Sequence, residues 1–103
     1  MTPALTPELA LDYLRELSAD VRAGVVLSAD GTLLAGPPEL AAPARELLSA
    51  APGADAVEVT AAGGTVFAAR SDRHAIALVC GRHALPELAR HDLAMVLGDL
   101  ARA

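Results

Sequence analysis

Apolar and polar positions along this chain follow two periods, and the switches between them set out the elements. Leu9, Tyr13, Leu14, Leu17 and Val21 recur at helical spacing behind Thr6, Pro7 and Glu8. That opening is a helix start: the hydroxyl caps free N–H groups, proline needs no donor there, and the carboxylate meets the positive end of the dipole. The spacing predicts a helix from Pro7 to about Ala19 with that row as its apolar stripe. After Gly24 the period shortens. Val25-Val26-Leu27 and Thr32-Leu33-Leu34-Ala35 flank Asp30-Gly31, which predicts a hairpin over Ala23–Ala35 closed by a type I′ turn.

Gly36-Pro37-Pro38 stops the second strand, and Leu40, Ala44, Leu47 and Leu48 share one side of a helix over Glu39 to Ala51. Proline inside a helix removes a hydrogen bond and clashes with the preceding turn. Pro43 therefore either opens a short helix of about nine residues or follows a broken turn. Pro52-Gly53 closes the element. Val57-Glu58-Val59-Thr60 alternates with period two, Gly63-Gly64 turns the chain, and Thr65 to Ala69 runs back. A turn at Asp72-Arg73 leads to Ala75-Ile76-Ala77-Leu78-Val79-Cys80, apolar on both faces and so expected in mid-sheet. Leu85, Leu88, Leu93, Val96, Leu97 and Leu100 then mark a helix from about Leu85 to Leu100, with Pro86 in its first turn. The order is α-β-β-α-β-β-β-α, an α+β chain.

Composition narrows what this order can be. At 103 residues with 53% hydrophobic positions the chain suits one domain over residues 1–103, but 24 of the apolar residues are alanine, so the core is thin. The net charge is −5 and every basic residue except histidine is arginine. A general nucleic-acid binder needs a surplus of cations, so no nucleic-acid partner is expected. Thr2-Pro3-Ala4-Leu5 does not resemble a leader, and the longest apolar run, Ala75 to Cys80, is far short of the roughly 18–20 residues that span a bilayer. A lone cysteine suits a reducing compartment. A cytoplasmic chain without membrane insertion is the expectation.

Candidate chemistry is sparse. Gly63-Gly64-Thr65 lacks the Gly-Lys-Ser/Thr of a phosphate-binding loop and reads as a hairpin turn. His74, His83 and His91 are too widely spaced, with Cys80 alone between them, for a zinc site. Cys80 ends an apolar strand and reads as a buried thiol, not a nucleophile. Arg70 and Arg73 flank a turn with Asp72, where local ion pairing is the simplest account. Glu8, Asp12 and Glu16 form an acidic row on the first helix, a solvated face or a docking face for a basic partner. No catalytic residue, cofactor or metal is expected.

The element order, the hairpin Gly24-Val25-Val26-Leu27-Ser28-Ala29-Asp30-Gly31-Thr32-Leu33-Leu34-Ala35 and the strand Ala75-Ile76-Ala77-Leu78-Val79-Cys80 resemble the roadblock/LC7 family over nearly the whole chain. One departure is the middle helix, confined here between Pro37 and Ala54 and shorter than is usual in that family. The resemblance implies a five-stranded antiparallel sheet of profilin-like layout, with the middle helix on one face and the terminal helices on the other. It also implies a homodimer in which middle helices pack together and third strands join the sheets edge to edge. Leu40, Ala44, Leu47, Leu48, Val57 and Val59 would then form the interface, and Val57 to Ala61 would be an unblocked edge strand. Members act as non-catalytic regulators or scaffolds, bacterial ones partnering Ras-like small GTPases. The alternative is a small-molecule sensor of PAS, GAF or profilin-like layout, against which the scarcity of buried-type polar residues counts.

Overall fold

The computed structural model describes residues 5–101. Residues 1–4, on which the expectation about a leader largely rests, lie outside that range. The chain folds as α1 (Pro7–Leu17), β1 (Val21–Ser28), β2 (Leu33–Ala35), a 3-10 turn (Pro38–Leu40), α2 (Ala41–Ser49), β3 (Ala56–Ala61), β4 (Gly64–Arg70), β5 (His74–Cys80) and α3 (Pro86–Ala101). The strands form one antiparallel sheet in the order β2-β1-β5-β4-β3. The doubly apolar strand β5 is its centre, and β3 is an edge. Proline at position 43 meets both readings at once, since a 3-10 turn precedes a nine-residue helix in whose first turn it sits. A missing N–H is harmless there.

The two sheet faces are unequal. Val26, Phe67, Ala69, Ile76, Leu78 and Cys80 point toward α1 and α3, which bring Ala10, Leu11, Leu14, Leu93, Val96, Leu97 and Leu100 to a large core. Val25, Leu27, Ala68, Ala75 and Ala77 point the other way, where α2 buries Ala41, Ala44 and Leu48 and packs Leu47 partly against them. Of the eight buried alanines among the described residues, five fall in this second, thinner layer.

Three expectations need correction. Val21 does not extend the α1 stripe; it begins β1, because Ser18 already caps α1 in extended conformation. Leu9, Tyr13 and Leu17 stay exposed, and the buried positions of α1 are Ala10, Leu11 and Leu14. The reason is close approach: a Cβ on Gly24 would sit 3.0 Å from a Leu11 methyl and 2.8 Å from one of Leu78, so small residues mark where helix meets sheet. Leu85 and Leu88 are likewise exposed, whereas Leu93, Val96, Leu97 and Leu100 of the same expected row are buried.

The third correction concerns the first hairpin. Among the described residues only glycines have positive φ, so Asp30-Gly31 is not a type I′ turn, which needs positive φ at both central positions. Gly31 N–H donates to Ser28 O (3.0 Å), Ser28 N–H donates to Thr32 O (2.8 Å), and Gly31 takes φ 88°. This is the longer loop, a tight turn followed by a left-handed glycine. Asp30 caps it by accepting from the Ser28 hydroxyl and the Thr32 N–H, bonds that hold its carboxyl down at about 2. The support is present above the ordinary carboxylate range and is lost as pH falls from about 4 toward 2.

Candidate functional site

The helix α2 has no side-chain cap at its start, and its placement depends on two arginines. Arg45 donates from Nη1 to Gly31 O (2.8 Å), tying the helix to the first hairpin. Arg70, at the end of β4, donates from Nε to Ala54 O (2.8 Å) and from Nη2 to Leu48 O (3.1 Å) and Ala51 O. One guanidinium therefore adds a charged donor at the C-terminal end of α2, where Leu48 O and Ala51 O also accept from the N–H groups of Ala51 (3.3 Å) and Ala54 (3.1 Å). It also supplies a donor to Ala54 O in the loop to β3. The expected pairing of Arg70 with Asp72 is not what forms. Backbone carbonyls face the β4 terminus, and among the described residues the ion pair is Arg90 with Glu58 (3.2 Å), on the opposite sheet face.

Held this way, α2 covers only part of its sheet face. An open groove of about 290 Å³ lies between Leu40, Pro43, Ala44 and Leu47 on the helical side and Val59, Val66 and Val79 on the sheet. The cross-strand register explains the valines: Val59 stands opposite Val66, and Val66 opposite Val79, so all three share a face. Of the six residues expected at an interface, Leu40, Ala44, Leu47 and Val59 come together here. Val59 is 46% exposed on the edge strand, and Leu40 just before α2 and Leu47 within it are half-buried. Ala44 and Leu48 are packed against the sheet as core, and neither Leu48 nor Val57 lines the groove. Pro43, Val66 and Val79 were not singled out by sequence; period two along β4 and β5 carries the signal for the valines, but only pairing tells which valines meet.

Other side chains are chemically quiet. Burial and the nearby Asp20 carboxylate push the Cys80 thiol up to about 11, and the residue is 2% exposed. A thiol held neutral is a poor nucleophile. Cys80 is therefore expected to resist alkylation by iodoacetamide at about pH 8 in the folded protein, reacting at least ~100-fold faster in denaturant, as followed by mass spectrometry. A native rate near that of a free thiol would contradict this burial. Among the described residues no group of three or more His, Cys, Asp and Glu is placed to hold a metal ion. No helix among them is long and apolar enough to cross a membrane.

No protein-family model matches the sequence, and no curated protein matches it either. Solved structures do match. A roadblock/LC7 domain from Streptomyces avermitilis superposes with a TM-score of 0.82 at 18% identity, over 92% of this chain and 94% of that one. The gliding protein MglB from Thermus thermophilus gives 0.68 at 14% identity, over 90% and 84%. Profilin II from Acanthamoeba castellanii gives 0.63 at 10% identity, over 94% and 98%. At such identities the likeness establishes architecture: α-β-β-α-β-β-β-α around a five-stranded antiparallel sheet.

Proposed function

The chain has the roadblock/LC7 fold, and from that premise we propose that it is a non-catalytic, cytoplasmic regulator or scaffold. Two copies pair through the α2 face and the β3 edge, and the dimer binds a protein partner, a Ras-like small GTPase or its signalling complex. The observation that carries this reading is the half-covered apolar face: Val59 lies exposed on an edge strand, beside a groove lined by Leu40 and Leu47. An edge strand offers unpaired N–H and C=O groups, and β3 carries no proline and one charged residue, Glu58, which is engaged with Arg90. A second copy would extend the sheet and bring its own α2 over the open groove. The resemblance to the roadblock/LC7 family supports the class of partner.

Light scattering over a concentration series tests the pairing. The wild-type chain is expected to have twice the monomer mass at micromolar concentration. Val59→Arg, which sets a charge in the groove, is expected to weaken association by at least about 100-fold, a loss of about 3 kcal/mol. A wild-type monomer at high micromolar concentration would remove the dimer. The immobilised dimer with a non-hydrolysable GTP analogue is expected to capture a small GTPase from the native cell, identified by mass spectrometry. Capture of none would remove that partner class.

A further inference from the structure

Opposite the α2 groove, the two-helix face carries most of the large apolar side chains left outside the core. Among the described residues six large hydrophobics are exposed, and five lie here: Leu9, Tyr13 and Leu17 on α1, Leu85 just before α3, and Leu88 in its first turn. Leu17, Leu85 and Leu88 rim a pocket of about 150 Å³ whose floor is the buried Leu14, Leu78 and Cys80. A cavity of about 150 Å³ holds a benzene ring, so this one, whose largely apolar lining also includes Ser18, His83 and Asp92, has room for a single aromatic or branched aliphatic side chain. Leu9 and Tyr13 lead up to Leu17 in steps of four residues, the interval at which side chains on one helical face are neighbours. A ridge ending in a socket is the form that receives another amphipathic helix.

Charge selects the occupant. Glu8, Asp12 and Glu16 each immediately precede a member of the row and are exposed, so an acidic track runs beside the apolar one. Exposed Glu87 on α3 and Asp92 at the pocket add to it. Among the described residues the permanent cations on the two helices are Arg15 and Arg90, and Arg90 is engaged by Glu58. An anionic lipid surface would be repelled. A two-fold antiparallel pairing of α1 with its own copy would set acidic row against acidic row. A basic partner meets neither obstacle.

We propose that the α1/α3 face docks a basic amphipathic helix of a partner protein. One apolar side chain anchors in the pocket between Leu17, Leu85 and Leu88, further apolar residues lie along Tyr13 and Leu9, and flanking Lys or Arg meet Glu8, Asp12 and Glu16. This surface is independent of the proposed dimer, since it lies on the other side of the sheet.

The chain reports on it without a label, because Tyr13 is its single tyrosine and it has no tryptophan. The probe is a synthetic helical peptide of about 15 residues with leucines at i, i+4 and i+7 and lysines between, free of aromatic residues. Titration is expected to change Tyr13 emission saturably with a Kd of about 10–100 µM, and a glutamate-for-lysine version to bind at least about tenfold more weakly. Leu88→Asp is expected to weaken the lysine peptide at least about tenfold although it adds negative charge, which only loss of the apolar anchor explains. Neutralising the row (E8Q/D12N/E16Q) is expected to weaken binding and flatten its salt dependence. Val59→Arg is expected to leave the Kd unchanged. No saturable change up to about millimolar peptide overturns the proposal, as does Leu88→Asp binding as tightly as wild type. Loss of binding in Val59→Arg would also overturn it, placing the peptide on the dimer's surface and leaving the dimer reading intact.

Discussion

Replacing Phe67 with alanine is expected to lower the free energy of unfolding by about 3–5 kcal/mol. Phe67 is the chain's one phenylalanine, is 1% exposed, and heads the fully buried side chains by volume. It lies on β4 between Glu58 of β3 and Leu78 of β5, facing the core that α1 and α3 close. Alanine there forfeits the transfer of the ring from water and leaves a cavity that rigid strands on either side cannot collapse. A domain of this length has about 5–15 kcal/mol in total, so one ring accounts for a large share. Phe67→Leu keeps most of the volume and is expected to cost less than about 1.5 kcal/mol. Urea unfolding at one fixed protein concentration checks both, because association would otherwise shift the midpoint. A loss below about 1 kcal/mol for Phe67→Ala would show that this face tolerates a void.

The second large effect is expected at Arg70. Arg70→Met keeps the aliphatic stem and removes the guanidinium's bonds to the carbonyls of Leu48, Ala51 and Ala54. The first two keep backbone N–H donors from Ala51 and Ala54, and Ala54 O loses its charged donor outright. A hydrogen bond to a charged group contributes about 1.5–3 kcal/mol; partial exposure lets water recover some of the three, so the expected loss is about 2–3 kcal/mol. The damage has a location. Amide exchange is expected to accelerate in α2 and the loop to β3, and to stay slow in β5 at the sheet centre. Arg70→Lys is expected to rescue little, because an ammonium on a flexible stem cannot hold the divergent geometry of the fork. Uniform acceleration across sheet and helix alike would show that Arg70 stabilises the whole fold instead of seating α2. Since α2 borders the groove with Leu40 and Leu47, its seating also conditions the surface offered to a second copy.

Elements were legible in the sequence wherever the signal was local. Thr6 and Pro7 start α1, the glycines and prolines at positions 36 to 38 and 52 to 53 bound α2, and the unbroken apolar run of β5 places it between two covered faces. Faces were less legible. The expected α1 stripe placed Leu14 correctly but also put Leu9, Tyr13 and Leu17 inward, whereas Ala10 and Leu11 join Leu14 against the sheet. Hydrophobic size is a poor guide where two layers approach closely, since a small residue at the contact lets the next leucine reach the core and leaves the larger neighbours outside.

The candidate site divides along the same line. Helical period put Leu40, Ala44 and Leu47 on one side of a helix and alternation put Val59 on a strand; that they would meet at an interface was implied by the resemblance to the roadblock/LC7 family. That Val59, Val66 and Val79 form one row depends on strand register, and that Arg70 seats α2 depends on a loop returning to the end of β4. The sequence by itself determined the kind, order and approximate limits of the elements, because caps, turns and periodicity act within a few residues. Tertiary structure alone decided which helical faces are buried, what Arg70 binds and how much of the sheet α2 leaves open. Those outcomes depend on contacts between segments far apart in the chain, where packing distance and hydrogen-bond geometry outweigh local preference.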